Sequence, residues 1–339
     1  GGRLHLAQHL PLDRDQLLDP IVSDEQPLRD LLLRNLERAP LDHQDRILSP
    51  GDDDVDFRVI ELLKGRVEHP LPLDPADPHR GHRLLDSDRA IAAGEELIAR
   101  HGGNVFVGRA GFEYEDLFNS SSYGSIPEAF FYKDYDAEAG VAHNAFREMV
   151  LGAGVSPTKR AIDAYLMSDG KPEELSAVVY EPADQSSLLR ARDPRLAQTV
   201  YPPDRGGYVD LVGGFPVEQF WNVVYPDLNH SYSPNAGGYR VITGTTFTTI
   251  SLDINDLDDL IMRYAEGLLN YAEAKAIKGT LTQEDIDKTV NVLRARVDMV
   301  PMNMSDVNSW TINYSESQGY DPSAPNVLNE NRRERRVEL

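Results

Sequence analysis

The stretch RYAEGLLNYAEAKAIKG, residues 263–279, decides the fold class of this chain. It contains the triplet Tyr-Ala-Glu twice, at 264–266 and again at 271–273. Seven residues are almost two helical turns, so the two triplets present the same pattern on nearly the same helix face. The small alanines in and after the triplets would let a second backbone approach closely. The stretch therefore predicts a helix built for tight packing against other helices.

A second helix is predicted to follow the first and to fold back along it. Gly279 is a helix stop, and Thr282 is a typical N-cap before a new apolar stripe. The first stripe contains Leu260, Ile261, Ala265, Leu268, Leu269, Ala272, Ala276 and Ile277, and the second contains Ile286, Val290, Leu293 and Val297. We expect residues 257–300 to form an antiparallel hairpin of the tetratricopeptide-like type. The fold class is predicted to be mainly α.

The first 87 residues differ in composition from the rest of the chain. Phe57 is the only aromatic residue among the first hundred and Lys64 the only lysine, and threonine, methionine and tyrosine are missing there. A disordered tail would usually be poorer in leucine, and a folded domain would usually recruit aromatics. Two interpretations stay open for residues 1–87: a poorly packed helical or disordered segment, or the translation of a wrong reading frame joined to a true one.

Residues 88–200 carry helix signals separated by an irregular aromatic stretch. The spacing predicts a helix over 88–102 and a short one that begins at the N-cap Ser156, with Pro157 in its first turn. Between these helices, residues 104–155 predict loops and short helices rather than a regular sheet. The buried face of the short helix is predicted to be Ile162, Tyr165 and Leu166.

Residues 201–256 are rich in proline, glycine, asparagine and aromatics, and such a long irregular region is usually functional or disordered. Sugar rings have apolar faces edged by hydroxyls, so a glycan binder needs flat aromatic platforms beside amide and guanidinium groups. The predicted platforms are Trp221, Tyr225, Tyr232 and Tyr239, and the predicted hydrogen-bonding partners are Asn222, Asn229 and Arg240. Alternatively, about half of these rings fill the core beneath the loops. Trp310 and Tyr314 are further candidates with the same ambiguity.

Charge and motifs exclude several function classes. The net charge of −22 argues against nucleic acid as a partner. The basic run at 332–336 alternates with glutamates, which predicts a salt-bridged helix face rather than a binding patch. Without cysteine the chain has no disulfide and no zinc-thiolate site. A calcium-loop pattern at 52–63 fails at its glycine and glutamate positions, and no cofactor, metal or catalytic residue is predicted.

Five motifs, in order and at similar spacing, resemble the SusD/RagB-like nutrient-binding lipoproteins of the outer-membrane surface. They are SPTKRAIDAYLMSDGKP (156–172), RDPRL (192–196), RYAEGLLNYAEAKAIKG (263–279), VNVLRARVDMVPM (290–302) and NENRRERRVEL (329–339). The resemblance covers residues 88–339 as a partial domain of this family. It implies a helical scaffold that supports the aromatic-rich loops at 201–256 and that docks on a SusC-like TonB-dependent transporter.

The resemblance also implies a function and a location. It implies non-enzymatic binding of glycans at the outer-membrane surface, with delivery to the transporter. The family carries a lipoprotein signal and an acylated cysteine, which this sequence lacks, and it continues past the last motif, so both ends of the scaffold are expected to be missing. Two alternatives stay open: a helical scaffold that binds only protein, and a glycoside hydrolase that uses two carboxylates.

Overall fold

The computed structural model of the chain describes residues 80–144, 156–202, 204, 211–212, 215–216, 237–239, 241–244, 254–315 and 319–339. Within these ranges the chain is mainly helical, as predicted, with two small antiparallel sheets. The helices are α1 (Arg80–His101), α2 (Glu115–Phe118), α3 (Lys159–Ala164), α4 (Gln185–Arg190), α5 (Pro194–Thr199), α6 (Tyr264–Lys278), α7 (Gln283–Lys288), α8 (Val290–Ala295), α9 (Met304–Ser309) and α10 (Asn326–Glu338). The strands are β1 (Ala129–Lys133), β2 (Leu211–Val212), β3 (Phe215–Pro216) and β4 (Asp259–Arg263).

Helix α6 is formed by the repeated-triplet stretch and contributes six residues to the main apolar cluster of the described part of the chain. Ala265, Leu268 and Ala272 are fully buried there, as their helical spacing predicts. The helix ends at Gly279, whose φ of 70° is left-handed and whose N–H donates to the Ala276 carbonyl over 3.0 Å. The predicted helix and its stop are therefore confirmed.

Helix α1 packs closely against α6. A Cβ atom built on Gly94 would lie only 2.6 Å from the Cβ of Tyr271, so only glycine permits this approach. The helix ends at His101, close to the predicted end. It begins at Arg80 and so crosses the segment boundary that composition placed at residue 87, while residues 1–79 lie outside the described part of the chain.

The second half of the hairpin is two helices rather than one. Thr282 caps α7 and forms a capping box with Asp285, as its sequence position predicts. The helix breaks at Thr289, whose ψ of −89° is not helical and whose hydroxyl donates to the Asp285 carbonyl over 2.7 Å. The apolar stripe continues across the break into α8, with Ile286 and Val290 both buried.

The first residues of the predicted hairpin form a strand. Leu260 and Ile261 belong to β4, which pairs antiparallel with β1, and Ile261 is 49% exposed. Their assignment to the helical stripe was wrong because β1, from a distant part of the sequence, supplies the backbone partner that fixes them in a sheet. The pairing is irregular, with register shifts on both sides of Phe131.

The short helix α3 starts two residues later than predicted. Its N-cap is Thr158, whose hydroxyl accepts from the Ala161 N–H, so Ser156 and Pro157 lie before the helix. The predicted buried face is confirmed, since Ile162, Tyr165 and Leu166 are all buried. The Ser156 hydroxyl oxygen instead accepts a hydrogen bond from the backbone N–H of Tyr239 over 3.3 Å.

Candidate functional site

Of the seven predicted ligand-contacting residues, Tyr239 lies in the described part of the chain. It is partly buried and packs on the apolar cluster that contains Ile162 and Val337. The Tyr239 side chain is therefore supported by the helical core. The other predicted residues lie outside the described ranges: Trp221, Tyr225, Tyr232, Asn222, Asn229 and Arg240.

The beginning of the aromatic-rich segment is fixed to helix α4. Tyr201 is buried at the first position of the segment. Three residues later, the Asp204 N–H donates to the Ser186 hydroxyl over 3.0 Å, and Arg190 pairs with the Asp204 carboxylate over 2.9 Å. This pairing lowers the pKa of Asp204.

A second attachment holds residues 237–239 and 241–244. The Gln185 amide donates to the Gly238 carbonyl over 2.6 Å, and the Ile242 N–H donates to the Thr199 carbonyl over 2.9 Å. Asn119 contacts the same stretch, because its side-chain oxygen accepts from the Gly244 N–H over 2.7 Å. Three separate elements therefore hold this part of the segment.

The segment rejoins the scaffold through His143. The backbones of His143 and Asn255 exchange two hydrogen bonds, of 2.9 and 2.8 Å, in an isolated antiparallel bridge. The His143 ring contributes a further hydrogen bond, with 3.0 Å between Nε2 and the Leu257 carbonyl oxygen. The aromatic-rich segment is thus attached at its start, near residue 240 and at its end.

The family-like motifs meet in a buried network of ion pairs. Arg195, from RDPRL, is fully buried and contacts Asp193 over 2.6 Å, Glu334 over 2.7 Å and Glu338 over 2.8 Å. Both glutamates belong to α10. The network therefore joins two motifs that are far apart in sequence, and its arginine is already saturated by carboxylates.

Glu338 is the centre of this network. Besides Arg195, it pairs with Arg263 over 2.5 Å and with Arg296. Burial alone would raise the pKa of the Glu338 carboxyl, but Arg296, Arg263 and Arg195 outweigh it and lower that pKa to about 2. Glu128 completes the network by pairing with Arg263 and Arg296, each over 3.1 Å. Arg294 pairs with Glu334 over 2.9 Å, so four arginines face four carboxylates. With its charges matched internally, the network is suited to structure rather than to ligand binding.

The repeated triplet of α6 also forms ion pairs with α10. Its two glutamates, Glu266 and Glu273, face α10 and pair with Arg335 over 3.1 Å and Arg332 over 3.0 Å. The basic run was predicted to be salt-bridged along its own helix face, and Arg333 does pair there with Glu330. Arg332 and Arg335 instead bind the triplet glutamates of α6, so sequence analysis missed that the two motifs recognise each other.

The further aromatic candidates contact the core. Tyr314 is buried and its hydroxyl donates to Glu330 over 2.9 Å, which explains the strongly raised pKa of Tyr314 through burial and that carboxylate. Trp310 packs against the main apolar cluster. In the described ranges no group of three or more His, Asp or Glu side chains is arranged to hold a metal, and no helix there is long and apolar enough to span a membrane.

Comparisons with known proteins identify the family. Residues 129–339 match the sequence model of the SusD family. A SusD-like carbohydrate-binding protein from Bacteroides fragilis is 24% identical, with a TM-score of 0.53 over 77% of this chain and 47% of its own. A second SusD-like protein from the same organism is 19% identical, with a TM-score of 0.52 over 83% of this chain and 50% of its own.

These likenesses show the fold, which is the tetratricopeptide-like helical architecture that the sequence predicted. The chain spans about half the length of both solved structures. No curated protein matched the chain in the comparison. Since the family match extends over more than half of the chain and includes the motifs that meet in the buried network, the chain belongs to the SusD family.

Proposed function

We propose that this protein binds glycans at the cell surface without catalysis, and that residues 201–256 form the binding region. The observation that carries the proposal is the family match over residues 129–339, which includes that region completely. One solved relative is described as a carbohydrate-binding protein. In this proposal Trp221, Tyr225, Tyr232 and Tyr239 stack on sugar rings. Asn222, Asn229 and Arg240 bond the hydroxyls.

The scaffold supports this assignment physically. A binding loop must be held in position if its ordering is not to cost binding energy. The aromatic-rich segment is attached to rigid elements at Asp204, Gly238 and Asn255. Tyr239 rests on the apolar cluster beside one of these attachments.

The same family membership supports a proposal about partner and location. We propose that the protein is a lipid-anchored component of the outer-membrane surface and that it delivers its glycan to a SusC-like TonB-dependent transporter. Copurification of such a transporter with the tagged protein, from outer membranes solubilised in mild detergent, is the expected result. Fractionation of the protein with the cytoplasm would contradict this part of the proposal.

The binding assignment is tested by titrating neutral polysaccharides into the full chain by calorimetry. For a polysaccharide that binds, Trp221→Ala should weaken affinity by about 1–3 kcal/mol, the usual cost of removing a desolvated aromatic anchor. Trp310→Phe is the matched control, because Trp310 packs against the main core, and it should leave affinity unchanged.

Two results would oppose the proposal. Affinity that is unchanged in a folded Trp221→Ala protein would remove this ring from the site. Shortening of the polysaccharide during long incubation, followed by chromatography of the products, would replace the binding role by a hydrolytic one. A binder without catalysis leaves the chain-length distribution unchanged.

A further inference from the structure

Two carboxylates lie together where the aromatic-rich segment rejoins the scaffold. Asp134 directly follows β1 and Asp258 directly precedes β4, so the pairing of these strands brings the two side chains together. Asp258 is buried, and its Oδ1 accepts from the Tyr135 N–H over 3.0 Å. Its Oδ2 is also buried and makes no hydrogen bond of normal geometry with any residue that the structure describes. A proton shared with the Asp134 carboxyl would satisfy this oxygen.

Asp258 belongs to the last attachment of this segment. Its N–H donates to the Ser120 carbonyl over 3.2 Å, and the preceding Leu257 carbonyl oxygen lies 3.0 Å from Nε2 of His143. The His143 ring packs edge-on against the Tyr135 ring, with 4.6 Å between the ring centres. Tyr135 thus contacts Asp258 through its N–H and His143 through its ring. A displacement of Asp258 would therefore loosen the whole attachment.

Most of the titratable side chains around Asp258 are acidic or neutral. The described titratable and charged groups at this end of the sheet are Asp134, Asp259, Tyr123, Tyr135, His143 and Lys133. Lys133 lies opposite Asp259 in the strand register, and Arg263, at the other end of β4, belongs to the buried network of ion pairs. Burial is the largest cause that raises the pKa of the Asp258 carboxyl to about 6, and the Asp134 charge adds to it.

We propose that Asp134 and Asp258 form a proton-dependent latch on the end of the binding segment, so that glycan affinity falls as the pH rises. While the two carboxyl groups share a proton, the attachment of the segment stays closed. Once that proton is lost to solvent, the two negative charges repel each other and the attachment loosens. This inference rests on the proposed glycan binding and deepens it, because it assigns a regulation to the same segment.

The direction of the pH effect follows from which form of the attachment holds the proton more tightly. In the closed form the pKa of Asp258 is about 6, and in a loosened, hydrated form it returns toward the ordinary 3.8. The contribution of the latch to closure is therefore full below about pH 4 and is lost as the pH rises through 6. A segment that binds only while it is held has an apparent affinity reduced by the fraction that is loosened.

Hydrogen–deuterium exchange of the full chain tests the latch without any ligand. Asp258→Asn serves as the reference at each pH, because asparagine has the shape of the protonated carboxyl and cannot ionise. At pH 7.5, peptides that cover residues 134–143 and 254–260 should exchange about fivefold faster in the original protein than in Asp258→Asn, the lower end of typical coupling between sites. At pH 5 the two proteins should exchange almost equally. Equal exchange at pH 7.5 would overturn the latch.

Calorimetric titration at the same two pH values tests the effect on binding, with maltohexaose, cellohexaose and xylohexaose as probes. For a probe that binds, the original protein should bind about fivefold more weakly at pH 7.5 than at pH 5. Asp258→Asn should bind at both pH values as the original protein does at pH 5.

Asp256→Asn is the matched control, because it removes the same charge from an exposed position two residues away. It should keep the full pH dependence of the original protein. Loss of the pH dependence in this control would reduce the effect to general electrostatics and overturn the latch. Histidine side chains also change charge in this pH range, so a pH dependence that survives in Asp258→Asn would move the effect to His143 and overturn the latch as well.

Exchange and titration separate the latch from the proposed glycan binding. The predicted exchange difference without binding of any probe would support the latch, and the proposed glycan binding would fail for these neutral glycans. A probe that binds equally well at both pH values would leave glycan binding standing and overturn its regulation by Asp134 and Asp258.

Discussion

Asp258 is a buried carboxylate whose environment opposes its charge. It is 4% exposed, and its Oδ1 accepts from the Tyr135 N–H over 3.0 Å. Burial is the main cause that raises its pKa to about 6, and the nearby Asp134 carboxylate adds to it. The Tyr135 hydrogen bond acts in the opposite direction but is outweighed.

The sign of the pH dependence follows from this shift. The folded pKa of about 6 lies above the ordinary value of 3.8, so the folded protein holds this proton more tightly than the unfolded chain. The contribution of Asp258 to stability is therefore full below about pH 4 and is lost as the pH rises through 6. Above that pH, folding must keep an unfavourable charge buried.

Replacing Asp258 by asparagine should remove this cost. Asparagine keeps an acceptor for Tyr135 and supplies a donor toward Asp134. Asp258→Asn should raise the free energy of unfolding by about 1 kcal/mol at pH 7.5 and by little at pH 4, measured by urea denaturation. Asp256→Asn, an exposed neighbour, should change neither value. An equal gain at both pH values would show that ionisation of Asp258 is not the cause.

At the scale of elements, local signals predict what local interactions decide. Helix α6 and its stop at Gly279 were predictable because apolar spacing and a left-handed glycine act within the stretch itself. The start of α3 was misplaced because Ser156 and Thr158 are both good N-caps, and only the contact of Ser156 with Tyr239 separates their roles. Strand β4 was missed because its pairing with β1 is not local.

For the candidate site, too, the sequence predicted only what local patterns decide. Residue types and their clustering predicted the aromatic-rich region, and the structure shows how its ends are attached. The attachments themselves depend on Asn119, Gln185 and His143, which are ordinary polar residues in sequence. Their partners are backbone groups distant in the chain, so no spacing rule identifies them. The platform roles of Trp221 and its neighbours remain predictions.

The close approach of α1 to α6 at Gly94 should limit which residues this position tolerates. Gly94 lies where a Cβ atom would come within 2.6 Å of the Tyr271 Cβ, and both atoms belong to regular helices that cannot easily move apart. Gly94→Val should therefore lower the free energy of unfolding by about 1–3 kcal/mol, as overpacking usually does. The measurement is urea denaturation followed by circular dichroism.

Ala99→Val is the matched control on the same helix. Ala99 is exposed, so the added methyl groups meet no neighbour and only helix propensity changes. The expected loss is about 0.5 kcal/mol. If both variants lose the same amount, the close approach of the two helices is not the constraint that the structure shows.

At the scale of the whole molecule, α10 connects the motifs. Its glutamates bind arginines from RDPRL, from β4, from α8 and from the residue that follows α8, and its own arginines bind the triplet glutamates of α6. Buried ion pairs add little stability compared with apolar packing, but removing one partner leaves a charge uncompensated. The network therefore makes the correct assembly of these elements much more favourable than a partial one.

Acid should weaken this assembly through Glu338. Its folded pKa of about 2 lies below the ordinary 4.5, so its stabilisation is present above pH 4.5 and is lost as the pH falls toward 2. Glu338→Gln should lower the free energy of unfolding by about 3 kcal/mol at pH 7, and this difference should shrink as the pH falls, measured by urea denaturation at each pH. Glu284→Gln, whose side chain is 77% exposed, should differ little from the original protein throughout. A Glu338→Gln deficit that stays constant down to pH 2.5 would mean that lost packing, rather than the charge shared with three arginines, causes it.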